Sequence, residues 1–261
     1  MSAAAAGRST LIAGNWKMHK LAVEARSYVA ELRALLEGSM QPPNEQVQVV
    51  ICPPFTALHA AAEAAHGSRI SIFAQNMHQE PEGAFTGEVS AAMLLEAGAS
   101  GVLLGHSERR AHFGESDRAL ALKIPAAFSA GLRPVLCVGE SEEQRSAGET
   151  ERTLRHQVGE ALAQVSADQL AEVVIAYEPL WAIGTGNVAE ADQIQEAGSF
   201  IRALLAARSP AAAERAHVLY GGSVSERNAA EIVQLEDVDG LLVGGASLQP
   251  ARFAAIVAAA G

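Results

Sequence analysis

The sequence predicts an α/β fold, a single-domain (β/α)8 barrel of eight parallel strands, from three observations. Eight short apolar runs rich in Val, Ile and Leu recur along the whole chain of 261 residues. Ala-rich, charge-spaced stretches with helical periodicity, such as Leu21 to Leu36, Glu149 to Val165 and Ala191 to Ala207, lie between them. No linker or break in composition divides the chain, and about 250 residues is the usual size of one such barrel. Continuous apolar runs fit strands buried on both faces, as in parallel sheets. A doubly wound open sheet is the alternative arrangement of the same elements.

The first nine residues, Met1 to Ser9, are small and polar and read as a flexible tail, which leaves residues 10–261 for the barrel. Run one, Leu11-Ile12-Ala13, closes on Gly14-Asn15-Trp16-Lys17. Asn15 and Lys17 are two apart, so in extended chain both point to the same side. That side would hold an amide donor and an ammonium, suited to a developing oxyanion and an anionic substrate. An isolated Asn-x-Lys is more often a solvated lysine after a strand. Runs two and three are Val47 to Cys52 and Ile70 to Ala74. A long patternless connection, Gln75 to Glu88, follows with an apolar tip at Phe85. Loops of this length are usually functional or interfacial. Phe85 is therefore expected to be buried, against its own barrel or against a second subunit.

Run four, Gly101 to Leu104, closes on Gly105-His106-Ser107-Glu108-Arg109-Arg110. His106 falls where a helix begins, and the positive end of the helix dipole favours a neutral imidazole there. A neutral ring can donate to a carbonyl and pass protons between adjacent oxygens. Glu108 either pairs with Lys17 across the site or faces solvent, and the two arginines read as structural ion-pair partners. Run five is Pro134 to Val138. Run six, Val173 to Tyr177, is followed by Glu178-Pro179-Leu180-Trp181-Ala182-Ile183-Gly184-Thr185-Gly186. A carboxylate at a rigid strand end, then a loop with a Pro start, an apolar tip and two late glycines, has the design of a base beneath a mobile lid.

Run seven, His217 to Tyr220, ends in Gly221-Gly222-Ser223, and run eight, Gly240 to Val243, ends in Gly244-Gly245. Glycines there let backbone N–H groups approach a ligand, and the loops after strands seven and eight are the usual phosphate site of such barrels. Ser223-Val224-Ser225-Glu226 has capping-box spacing. Ser247 is placed to cap the last helix, with Pro250 in its first turn.

The net charge of −11 argues against nucleic acid or an anionic membrane as the main partner. No stretch of about 18 apolar residues suggests a membrane span, and the cytoplasm is the default location. Cys52 and Cys137 sit in apolar runs and read as buried free thiols. No Cys/His cluster has metal-ligand spacing, and no P-loop or dinucleotide fingerprint is present. Neither a metal nor an organic cofactor is expected.

In order and together, these segments resemble the triosephosphate isomerase family. The matching stretches include Gly14 to Met18, Gly83 to Glu88, Gly105 to Arg110, Leu136 to Glu140, Ala176 to Gly186, Tyr220 to Val224 and Val243 to Leu248. Asn187 departs from the lysine usual in the family just past the lid. The resemblance implies a homodimer with the Phe85-Thr86 loop beside the partner's active site. It implies Glu178 as base, His106 as the polarising acid, and Lys17 and Asn15 as stabilisers of an enediolate. Gly184, Ser223, Gly244 and Gly245 would bind the phosphate of a triose substrate, with Glu108 supporting. Two rivals are another phosphate-binding barrel, such as an aldolase, and a non-catalytic binding protein on the same fold.

Overall fold

Eight strands close in sequence order, β1-β2-β3-β4-β5-β6-β7-β8, and every neighbouring pair is parallel. The computed structural model describes residues 7–38, 46–184 and 187–261; residues 1–6 of the expected tail and Thr185 and Gly186 of the expected lid lie outside the described residues. The strands are β1 (Thr10–Asn15), β2 (Val47–Cys52), β3 (Ile70–Ala74), β4 (Gly101–Leu104), β5 (Arg133–Val138), β6 (Val174–Tyr177), β7 (His217–Tyr220) and β8 (Gly240–Val243). The helices that bear on the site are α1 (Ala22–Glu37), α2 (Phe55–Ala65), α3 (Ala91–Glu96), α4 (Ser107–Phe113), α5 (Asp117–Ala130), α6 (Glu142–Ser146) and α7 (Thr150–Ala161). They continue with α8 (Ala167–Leu170), α9 (Ala191–Ala206), α10 (Pro210–Arg215), α11 (Ala229–Val233) and α12 (Pro250–Ala259). β1 pairs with β8 from Leu11↔Gly240 to Gly14↔Val243, which closes the sheet and excludes the open doubly wound arrangement.

Alternation along each strand divides the apolar side chains between two cores. Leu11, Ala13, Val50, Cys52, Phe73, Leu103, Val135 and Cys137 belong to a cluster of strand residues alone, which fills the barrel. Their neighbours Ile12, Val49, Ile51, Ile72, Val102 and Leu136 join helix residues in the outer core. This is the period of two expected of a pleated strand buried on both faces. α1 shows the complementary pattern: Ala25, Tyr28, Val29, Leu32 and Leu36 recur at helical spacing and are buried. Cys52 and Cys137 are free and buried.

Two capping expectations fail. Ser223 spends its hydroxyl on Ala182 O at 2.7 Å, and the helix that follows, α11, is preceded by Asn228 instead. Ser247 donates to Gly244 O at 2.7 Å inside a single 3₁₀ turn, Gly245–Leu248, so Gln249 precedes α12 and Pro250 takes its first position. Both serines brace the turns beyond the strand ends; Gly244 O accepts the Ser247 N–H at 2.8 Å as well as its hydroxyl. Serine side chains do cap α3, α5, α6, α8 and α10, from Ser90, Ser116, Ser141, Ser166 and Ser209.

The last residues of the expected tail are tied to the barrel base. Arg8 Nε lies 2.6 Å from the fully buried Asp239 carboxylate, and Ser9 Oγ lies 3.1 Å from His217 Nε2. Burial, with the nearby Arg133 charge, pushes the His217 pKa down from 6.5 to about 4. The unfolded ring therefore takes up a proton between those values while the folded ring does not. Stability should be at full strength above pH 6.5 and fall as pH drops toward 4, by about 3 kcal/mol in all. Urea midpoints measured across that window should flatten in His217→Gln; the same slope in both proteins would assign the acid sensitivity elsewhere.

Candidate active site

The C-terminal ends of β1, β4, β6, β7 and β8 open onto one cavity of about 230 Å³. Asn15, Lys17, His106, Glu178, Gly184, Ser223, Gly244 and Gly245 all line it. A roomier opening of about 880 Å³ lies between α7 and α9, with none of these residues in its wall. Size does not locate the chemistry here; the convergence of ionisable groups does.

Glu178 directly follows β6 and is 2% exposed. Its Oε2 accepts the Ser107 N–H at 2.9 Å, and its Oε1 lies 3.0 Å from His106 Nε2. Burial raises the carboxyl pKa, but the His106 contact, the Ser107 N–H and the Lys17 charge outweigh it and hold the group below its ordinary 4.5. The carboxylate is thus kept ionised in a nearly dry position, poised as a base.

His106 stands at the start of α4, where its Nδ1 accepts the Glu108 N–H at 3.2 Å. A backbone N–H only donates, so Nδ1 carries no proton and Nε2–H faces Glu178. The geometry is that of a neutral ring, while its pKa is set by more than the helix dipole. Burial lowers the imidazole pKa, yet the Glu178 carboxylate, helped by Glu108, more than offsets this and raises it above 6.5. A carboxylate in contact exerts a stronger field than the dipole of a seven-residue helix.

Lys17 is not in extended chain. β1 ends at Asn15, and Lys17 adopts φ 53°, in the left-handed region that is uncommon for a residue with a side chain. Its N–H donates to Asn15 Oδ1 at 3.0 Å, and its carbonyl accepts from Gln75 Nε2 at 2.8 Å. Gln75 Nε2 also reaches Cys52 O at 2.8 Å, so the start of the long loop pins the turn after β1. The ammonium pairs with Glu108 Oε1 at 2.6 Å, and the side chain passes beside Gly244. Of the two readings for Glu108, the ion pair is the one that forms.

Several supporting groups carry no local sequence signal. Glu140 is fully buried and accepts from Tyr177 Oη and Trp181 Nε1, both at 3.0 Å, which anchors the first turn of the loop after β6. Arg145 lies over the Trp181 ring at 4.9 Å from its centroid. Lys123, in α5, is buried against Glu115 and Asn76, while Glu115 Oε2 accepts the Gly105 N–H that precedes His106. Arg110 pairs with Asp117 and Arg109 lies near Glu115, the structural roles expected of them.

Gly139 shows how tightly Glu178 is seated. A Cβ there would lie 1.8 Å from Glu178 O, and backbone cannot yield as a flexible side chain can. Gln157 clamps the same residue, accepting its N–H at 2.8 Å and donating to its carbonyl at 3.1 Å. Gly139→Ala should therefore displace the Glu178 backbone, and a shift of ~1 Å can cost on the order of 10²-fold in rate. Turnover in the folded variant equal to the parent would show that Glu178 tolerates the movement.

Phe85 and Thr86 lie outside the cavity and are exposed, with the Phe85 ring packed on His78 at 4.1 Å between centroids. Met18, Met93, Leu95 and Phe113 are further exposed apolar side chains. Among the described residues, no group of three or more His, Cys, Asp or Glu is placed to hold a metal ion, and no helix is long and apolar enough to cross a membrane.

Comparison with known proteins agrees with this geometry. The family model for triosephosphate isomerase matches residues 10–260. The triosephosphate isomerase of Carboxydothermus hydrogenoformans is 50% identical over 251 residues, 96% of this chain and 98% of that one. That of Symbiobacterium thermophilum is 48% identical over 254 residues, 97% of each chain. That of Citrifermentans bemidjiense is 47% identical over 251 residues, 96% of this chain and 98% of that one. With a match over nearly its full length and a barrel whose strand ends converge on one site, the chain belongs to the triosephosphate isomerase family.

Proposed function

We propose that this chain interconverts dihydroxyacetone phosphate and D-glyceraldehyde 3-phosphate through an enediolate, as in glycolysis and gluconeogenesis. One observation carries the reading: an ionised Glu178 and the Nε2–H of His106 face each other at 3.0 Å in a cavity that Lys17 and two Gly-Gly turns also line. Glu178 removes the proton α to the carbonyl and returns it to the neighbouring carbon. His106 donates to the carbonyl oxygen and moves protons between the two oxygens. This division of labour is the family's known mechanism, carried over onto these residues. A substrate entering between the two side chains parts the carboxylate from the ring, which removes the contact that raises the imidazole pKa and favours its neutral form.

Lys17 and Asn15 stabilise the enediolate oxygens, and Glu108 holds the ammonium in place. Gly184, Ser223, Gly244 and Gly245 bind the phosphate through backbone N–H groups, the Ser223 hydroxyl being engaged with Ala182 O. Closure of the loop from Pro179 onward excludes water and protects the enediolate from losing phosphate. The chemistry is proton transfer within reach of these side chains. A Schiff-base aldolase would need a desolvated lysine in the cavity; Lys17 lines it but is part-exposed and paired with Glu108, and Lys123 is buried but paired with Glu115 outside the cavity wall. A coupled assay with glyceraldehyde 3-phosphate tests the proposal: turnover supports it, and a folded protein with none refutes it.

The chain is also proposed to act as a cytoplasmic homodimer. The exposed Phe85, beside Thr86 at the tip of the loop after β3, supports this reading, since a large apolar side chain in water gains from a partner surface. Replacing Phe85 and Thr86 by Gly should give monomers of weak activity. A stable dimer on sedimentation would place the interface elsewhere.

A further inference from the structure

We propose that the base of the barrel carries a second binding site, for a phosphate-sized oxyanion, centred on Arg133. The site does not depend on the isomerase reading. It lies at the start of β5 and β7, the opposite end of the strands from Glu178, in a cavity of about 490 Å³.

Its wall holds more donors than acceptors. Arg133 is half-buried, and its guanidinium donates to Gln48 Oε1 at 2.9 Å, His217 Nδ1 at 3.0 Å and Glu172 O at 3.4 Å. None of these acceptors is charged, and the planar fork of five N–H groups is only partly used. Because guanidinium can only donate, His217 Nδ1 must accept. The ring proton then sits on Nε2 and points at Ser9 Oγ, 3.1 Å away. Gln48 Nε2 donates to the same oxygen at 2.6 Å. With both acceptor directions of that hydroxyl filled, its own O–H has no acceptor among the described residues. Arg215, also in this wall, gives one Nη2 to Glu172 and keeps the rest of its fork.

The charges point the same way. Arg8 is neutralised by Asp239, and Arg215 by Glu172. The exposed Glu214 opposes an anion from the rim. Arg133 sits deeper, forms no ion pair among the described residues, feels the Glu172 carboxylate only at longer range, and loses hydration by burial. An oxyanion would accept from the Arg133 fork, from Ser9 and from Arg215 together, in the charge-assisted geometry that guanidinium favours. A protein of net charge −11 draws no anion by long-range attraction, so such a site must work by local contacts.

The test titrates inorganic phosphate into the full chain near neutral pH, at constant ionic strength. The carbon-bound ring proton of His217 is followed by NMR, assigned by its absence in His217→Gln. A saturable shift is expected in the parent protein, with affinity weakened by roughly tenfold or more in Arg133→Gln. Inhibition of isomerisation by phosphate, which reports the other end of the barrel, should be equal in the two proteins. Acetate at matched concentration should not move the resonance. A shift that merely drifts with concentration, equal saturation in Arg133→Gln, or equal saturation by acetate would overturn the site. If Arg133→Gln does not fold, Arg215→Gln on the exposed rim takes its place; it should weaken the midpoint several-fold, and an unchanged midpoint would overturn the proposal.

Discussion

Glu178→Gln is expected to lower kcat by roughly 10²- to 10⁴-fold, the range associated with a general base, while leaving KM close to its parent value. The amide has nearly the same shape but cannot take up the substrate proton. It also fits its surroundings badly. One amide oxygen can accept from Ser107 N–H, as Glu178 Oε2 does at 2.9 Å. The NH2 group then meets His106 Nε2–H, donor to donor, because the Glu108 N–H already occupies Nδ1. One unsatisfied buried donor costs about 1–3 kcal/mol, so a modest fall in thermal midpoint should accompany the loss of rate. Glu178→Asp separates the two effects: it keeps the charge and retracts it by about one methylene, and a ~1 Å displacement can cost on the order of 10²-fold. Unchanged turnover in both variants would remove Glu178 from the role of base.

Lys17→Ala should damage binding and turnover together, with kcat/KM falling by roughly 10²- to 10³-fold, as when one preorganised donor to a developing oxyanion is lost. Among the described residues, the ammonium is the only lysine or arginine charge in the cavity wall. Its removal also leaves the Glu108 carboxylate, now 2.6 Å from Lys17 Nζ, without that partner beside an anionic substrate. Part of the loss is therefore repulsion, and the double variant Lys17→Ala with Glu108→Gln should regain some affinity. Stability should change little, because alanine inherits the φ of 53° and the backbone hydrogen bonds to Asn15 and from Gln75 persist. A single variant with normal KM and kcat would refute the assignment; one that unfolds would show that the ammonium holds the turn.

Much of the site was readable from residues at the ends of the apolar runs. Glu178, His106 and the two Gly-Gly turns follow strands directly, so locating each strand end located them. The state of the residues was harder to read. Lys17 looked like a member of an extended pair with Asn15, but Gln75, 58 residues away in sequence, holds it in the left-handed region. His106 was expected neutral from the helix it begins, and its Nδ1 does accept a backbone N–H as a neutral ring can, but the carboxylate on a distant strand end that raises its pKa was not readable locally. Ser223 and Ser247 had the spacing of helix caps and instead bind carbonyls, Ser223 that of Ala182 in the loop after β6 and Ser247 that of Gly244 in its own turn.

The sequence by itself determined the alternation of strands and helices, the period-two split of apolar side chains into two cores, and which polar residues stand at the strand ends. These follow from local periodicity and propensity, which act over a few residues. Closure of the barrel, the pairing of Lys17 with Glu108 and of His106 with Glu178, the burial of Glu140 and Lys123, and the donor-rich base around Arg133 were decided only by the tertiary structure. Each depends on groups far apart in the chain, and the strength of a charge or hydrogen bond depends on the partner and the dielectric that packing brings to it.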